Sequence, residues 1–286
     1  YKSGNNCKIA ILGGKFNNEA NTGTATTGNG QFKFSDFMKF GATSAANTDD
    51  DKETYPFVVT LGDIVLADKA AYDNDLTVDG VNVSYTRELS AKVGTIVLPF
   101  VPEASNMIKY YAFGAMSVAV DGTGVIKLEE VKTIEPNKGY IYKYQGDIAD
   151  GSKATLTLSA NGTTIHPNTV EDNICGDWTV KGTYAQVQKN GSTDAFYYVK
   201  ASDGVMYRAQ GKTNFAPYRA WATYGGTSGA KAFRLEIDGE LTGIATVEAD
   251  GQLNVGLGKV YDLSGREVTA PQHGNVYVVG GKKIKY

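Results

Sequence analysis

The chain has 286 residues and carries 28 Lys and Arg against 31 Asp and Glu, a formal net charge of −3. With no basic stripe, that balance argues against a nucleic-acid partner, and no apolar run approaches the roughly 20 residues needed to span a bilayer. Its 34 glycines, 18 tyrosines and 11 phenylalanines point to many short strands joined by tight turns, in a chain long enough to bury a core without staples.

Residues 1–80 are an N-terminal β region rich in loops. Residues 7–12 (CKIAIL) form a short apolar strand, and 17–30 are dominated by Asn, Thr and Gly, as in a loop or wide hairpin end. Phe32 and Phe34 share one face of a further strand. Residues 41–54 are polar and end in DDDKE, an exposed connection, before strand character returns at 56–66 (PFVVTLGDIVL). The first residue is Tyr1, which reads as a processed chain or a fragment and leaves room for a removed export signal.

The segment 81–100 (VNVSYTRELSAKVGTIVLPF) opens the main domain, residues 81–243. Val81, Val83, Tyr85 and Arg87 alternate with Asn82, Ser84, Thr86 and Glu88, the period of a half-buried strand. TIVLPF is almost continuously apolar, as in a strand buried on both faces, and Pro99 ends its pairing because proline has no N–H to give. Beyond it, Asp121-Gly122, Asn161-Gly162, Asn190-Gly191, Asp203-Gly204 and Asp238-Gly239 each separate apolar or alternating runs. Such dipeptides supply the positive φ angles of type I′ hairpin turns. About ten strands at this spacing predict an all-β fold, an antiparallel β-sandwich of which a jelly roll is one form. Residues 244–286 are a small C-terminal β-unit, set off by a glycine-rich spacer at 250–258.

Catalytic equipment is scarce. His166 precedes a proline in a turn, His273 lies in a polar linker, and neither has a partner at metal-ligand spacing. No nucleophile elbow or phosphate loop is present, and the Gly225-Gly226 to Gly229 turn has the wrong spacing for one. Glu88, Glu129, Glu130 and Asp177 are the carboxylates from which a glycosidase pair would have to come. The cluster Asp49–Asp51 and the pair Asp73/Asp75 are candidate oxygen ligands for calcium, although neither follows the twelve-residue EF-hand spacing. No other cofactor is expected. Cys7 and Cys175 are either a disulfide across the chain or two free, small buried residues.

The run Tyr218-Arg219-Ala220-Trp221-Ala222-Thr223-Tyr224 is the candidate binding feature. Alternation sets Tyr218 and Tyr224 on one face, with Arg219 and Trp221 on the other. An exposed Trp221 beside Arg219 would stack on a sugar ring, whereas a buried Trp221 would be a core residue.

Several phrases carry a resemblance. The tail GKVYDLSGREVTAPQHGNVYVVGGKKIKY has the pattern VYDL-x-GR, a linker, a VYVV strand and a closing GKK strand. It resembles a short form of the type IX-secretion C-terminal sorting segment of secreted and surface proteins of Bacteroidota. Upstream, VSYTRELSAKVGTIVLPFVP and IEPNKGYIYKYQG are similar to strands of the same proteins, including the BspA-like surface type. Gly94 stands where they often carry Trp. The resemblance covers about residues 82–286 and implies a secreted or cell-surface location. It also implies an export or attachment machinery that reads the tail, with Lys282, Lys283 and Lys285 as a cationic edge. It carries no activity with it. The leading expectation is therefore a non-catalytic β-module acting in adhesion or display, with a glycan or a surface protein as partner. A carbohydrate-binding module of a glycan-utilisation system and a glycoside-active enzyme are the alternatives.

Overall fold

A computed structural model describes residues 13–16, 24–27, 30–33, 42–118, 124–149, 151–226, 232–243, 246–247, 253–254, 260–268, 271–272, 274–279 and 282–285. Cys7 with its expected strand, the Asp121-Gly122 turn and His273 lie outside them, and so does any pairing of Cys7 with Cys175. The chain is all-β, and every element among the described residues is a strand. No helix is long and apolar enough to cross a membrane among those residues.

Strands β1 (Gly14–Phe16), β2 (Thr24–Thr27), β3 (Gly30–Lys33), β4 (Thr43–Ala46), β5 (Phe57–Thr60) and β6 (Ile64–Ala67) come first. They are followed by β7 (Val78–Leu89), β8 (Val93–Val97), β9 (Ile108–Val118), β10 (Gly124–Val131), β11 (Gly139–Tyr144) and β12 (Ala154–Ile165). Next are β13 (Asn173–Cys175), β14 (Trp178–Thr183), β15 (Val187–Asn190), β16 (Tyr197–Val199), β17 (Met206–Arg208), β18 (Lys212–Phe215), β19 (Arg219–Tyr224), β20 (Ala232–Ile237) and β21 (Glu240–Leu241). The tail carries β22 (Thr246–Val247), β23 (Leu253–Asn254), β24 (Val260–Tyr261), β25 (Val276–Val279) and β26 (Lys282–Lys285).

The chain forms two compact units, whose limits differ from those expected at residues 80 and 243. One comprises Tyr1–Leu66, Val78–Ser84 and Ser159–Ile165, the other Ala67–Thr77, Tyr85–Leu158 and His166–Tyr286. Near residue 80 the difference arises because β7 and β12 are long strands whose two ends fall in different units, and at 243 because the tail is grouped with the second unit. In the first unit β5 lies between β1 and β4, antiparallel to both. There Lys15 Nζ sits 2.9 Å from Asp49 and 2.8 Å from Asp51, so an ammonium lies between two of the carboxylates considered for calcium.

The second unit is built on one large sheet of order β13-β14-β19-β16-β17-β20-β10-β9-β11-β8, with β21 paired to β20. Its β10–β20 pair is parallel and its other pairs are antiparallel. The sheet curls until β8 returns to β19. There Thr95 Oγ1 donates to the Ala220 carbonyl and accepts from the Ala220 N–H, both at 3.0 Å. Inside the curl, Trp178 is 2 % exposed and ringed by Phe113, Tyr197, Tyr224 and Phe233, with centroids 4.7–5.4 Å away. Ile126, Leu235 and Ile237 complete this cluster with no exposure. Burying each such side chain stabilises the fold by about 1.5–3 kcal/mol.

The turn chemistry acts as expected at Asp238-Gly239 and only in part at Asp203-Gly204, where the glycine alone has a positive φ and six residues separate the strands. Asp203 and Gly204, with φ +69° at the glycine, separate the antiparallel pair β16–β17. Asp238 (φ +55°) and Gly239 (φ +82°) join β20 to β21 in a two-residue hairpin with the positive φ pair of a type I′ turn. Asn161-Gly162 differs. Strand β12 runs through it, and the positive φ of Gly162 (+58°) falls inside the strand instead of closing a hairpin. In the tail, β25 lies between β24 and β26. Tyr277 and Val260 are buried there, whereas Leu263 and Val276 are exposed, so the aromatic face of β25 is the covered one.

Candidate functional site

A cleft of about 520 Å³, lined by residues of a single unit, lies in the second unit. That volume lies within the range of small-molecule sites. It opens where β7, β8, β11, β16, β18 and β19 contribute side chains, and its charged lining is Lys69, Arg87, Lys153, Lys200 and Arg219 with one carboxylate, Glu88. Tyr142, Tyr198 and Phe215 supply ring surface, and Ser90, Thr213 and Asn214 supply hydroxyl and amide groups.

Arg219 is held by a bidentate pair, Nη1 to Asp68 Oδ1 at 2.7 Å and Nη2 to Asp68 Oδ2 at 3.0 Å. The Tyr85 hydroxyl donates to the same Oδ1 at 2.7 Å. Burial alone would push the Asp68 carboxyl up, but Arg219 and the Tyr85 hydroxyl outweigh it and hold the group below the usual carboxylate range. The residue before Arg219 is strained. Tyr218 has φ +62°, a region that costs bulky side chains energy, and is 1 % exposed. It is fixed by its N–H on the Thr183 carbonyl at 2.7 Å and by ring contacts to Tyr85 and Tyr184.

Arg87 has a different environment. It lies, half-buried, on the face of β7 that Val81, Val83 and Tyr85 bury. Its Nη1 donates to the Thr95 carbonyl at 2.9 Å, its guanidinium lies 5.2 Å from the Tyr142 ring centroid, and its Nε is buried with no acceptor among the described residues. Burial lowers its pKa, yet a guanidinium stays protonated at any ordinary pH. Gly94 is what allows this arrangement. It faces Tyr142 across the β8–β11 pair, and a Cβ there would stand 2.7 Å from the Tyr142 hydroxyl. Any larger residue would displace the ring on which Arg87 rests.

Three of the five cations are compensated. Arg219 has Asp68, Lys153 has Glu88 at 2.7 Å, and Lys200 has Asp203 at 3.7 Å. Arg87 and Lys69 have no carboxylate at ion-pair distance among the described residues, so the cleft keeps a positive excess.

Of the expected binding residues Tyr218, Arg219, Trp221 and Tyr224, only Arg219 lines this cleft. Trp221 is 8 % exposed, tilted against Phe215 with centroids 4.9 Å apart, and has Lys189 Nζ 5.2 Å over its ring. Its indole is therefore packed in a small core with Phe196, Ala209 and Phe215, not presented for stacking. Tyr218 is buried, and Tyr224 is half-buried against Trp178. Among the carboxylates, Glu88 lines the cleft and Glu130 lines a separate pocket bounded by Pro102 and Gln145. Glu129 and Asp177 line neither. Arg87 was missed as a site residue, although its place in an otherwise apolar alternating face is a readable signal. Lys69, Lys153, Lys200, Tyr142 and Tyr198 carry no such mark. No group of three His, Cys, Asp or Glu stands at metal-binding distance among the described residues. Compared with known proteins, the chain matches no family model, no curated protein and no solved structure.

Proposed function

We propose that the chain is a non-catalytic β-module of a secreted or cell-surface protein, acting in adhesion or display, and that it holds a glycan in the cleft of its second unit. The observation that carries this reading is the composition of the cleft. It offers ring surface, hydroxyl and amide groups and uncompensated cations, while its one lining carboxylate, Glu88, is tied to Lys153 at 2.7 Å. Such a lining is suited to holding a polar ligand. Among the described residues its lining does not include the two free, facing carboxylates by which glycosidases act. The surface location, the tail-reading machinery and the Bacteroidota-like context rest on the tail and on the phrases at 83–102 and 134–146 of the sequence.

The test is retention of the purified chain on immobilised polysaccharides, run beside turnover of chromogenic glycosides. Retention without turnover is the expected result. Hydrolysis abolished by Glu88→Gln would make the protein an enzyme instead, and no retention on any polysaccharide would remove the glycan reading.

A further inference from the structure

The uncompensated charge of the cleft specifies its ligand more narrowly. Resting on the binding-module reading above, we propose that the cleft recognises an acidic sugar through its carboxylate, with Arg87 as the recognising group and Lys69 as a supporting charge.

A guanidinium removed from water normally keeps a carboxylate beside it, as Arg219 keeps Asp68. Arg87 breaks that rule. It lines the cleft, donates one hydrogen bond to a backbone carbonyl and has no acidic partner among the described residues. Its Nε is sealed from solvent, so a ligand in the cleft would meet the two Nη groups, of which Nη1 already donates to the Thr95 carbonyl. A planar carboxylate matches a guanidinium through two parallel charge-assisted hydrogen bonds and would supply the missing charge. Lys69 stands exposed on the same cleft with no ion pair of its own among the described residues. Beside these charges, Ser90, Tyr198 and Thr213 offer hydroxyl groups suited to a sugar's own hydroxyls, which favours an acidic sugar over an acidic peptide.

The experiment is titration calorimetry of the full chain with three probes: trigalacturonate, its neutral counterpart galactotriose, and a triglutamate peptide. Trigalacturonate should bind saturably, and its affinity should fall steeply as salt is raised. Arg87→Lys keeps the charge but loses the fork, and should weaken binding about tenfold. Lys69→Ala, an exposed change that leaves the fold intact, should weaken it about threefold. Thermal melts of both variants confirm folding. Equal binding of galactotriose and trigalacturonate would overturn the carboxylate assignment and leave the glycan reading standing. Binding of triglutamate with neither sugar would overturn the sugar assignment. If neither sugar binds and no polysaccharide retains the chain, both readings fail.

Discussion

Asp68 receives hydrogen bonds from three donors, two nitrogens of Arg219 and the hydroxyl of Tyr85. Both charged side chains are mostly buried, at 13 % and 16 % exposure, so removal of one leaves the other with no counter-charge. Asp68→Asn should destabilise the protein by about 3 kcal/mol at neutral pH. The pH dependence follows from the direction of the Asp68 shift. A carboxyl held below its unfolded value stabilises the folded state above that value, near 4, and loses the contribution as pH falls through the folded value. The deficit of the variant should therefore be full at pH 7 and shrink at pH 3. Urea unfolding at the two pH values checks this, and an unchanged deficit would contradict it. Two arginines 132 positions apart in sequence thus have opposite characters in one cleft: Arg219 is neutralised by the fold, and Arg87 is left for a ligand.

At the scale of the element, β9 shows how a sheet curls. Its register with β10 shifts between Ile126, opposite Met116, and Leu128, opposite Phe113, so β9 contains one residue more than its partner over this stretch. An extra residue of this kind is a β-bulge, which bends the strand and increases its twist. Gly114 sits in the bulge, where a Cβ would stand 2.8 Å from the Lys127 carbonyl oxygen and 2.9 Å from Glu129. The backbone contact cannot be relieved by a side-chain rotation. Gly114→Ala should cost about 1–3 kcal/mol, read as a lower denaturation midpoint with an unchanged m-value. A variant as stable as the parent would show that the bulge has room to spare.

Over the whole molecule, the main apolar cluster runs from Val93 to Ile237, and among the described residues none after 243 joins it. The tail instead has its own three-stranded sheet, with Tyr277 buried and its hydroxyl accepting the Gln272 N–H at 2.7 Å. Removal of residues 245–286 should therefore shift the melting temperature by less than about 2 °C, the change expected when under about 1 kcal/mol is lost. A larger fall in a calorimetric scan would make the tail a structural part of the domain. If the tail is an export address, the truncated protein melts normally yet fails to reach the cell surface.

What the sequence determined by itself is local. The alternation of β7, the end of β8 before Pro99 and the hairpin turns at Asp203-Gly204 and Asp238-Gly239 depend on side-chain period and backbone φ preference, both properties of a few adjacent residues. The all-β class follows from their repetition. Only the tertiary structure decided which faces are covered and which charges meet. Trp221 is buried because Phe215 and Phe196 pack against it, which alternation within β19 cannot reveal. The pairing of β10 with β20, and the strand that passes through Asn161-Gly162, likewise depend on neighbours distant in sequence. The cleft is the extreme case. Lys69, Arg87, Tyr142, Tyr198 and Arg219 are scattered over some 150 positions and converge only because the sheet curls. Whether an arginine is free or neutralised there depends on one aspartate at the far end of that separation, since burial and ion pairing are set by contacts in space and not by order along the chain.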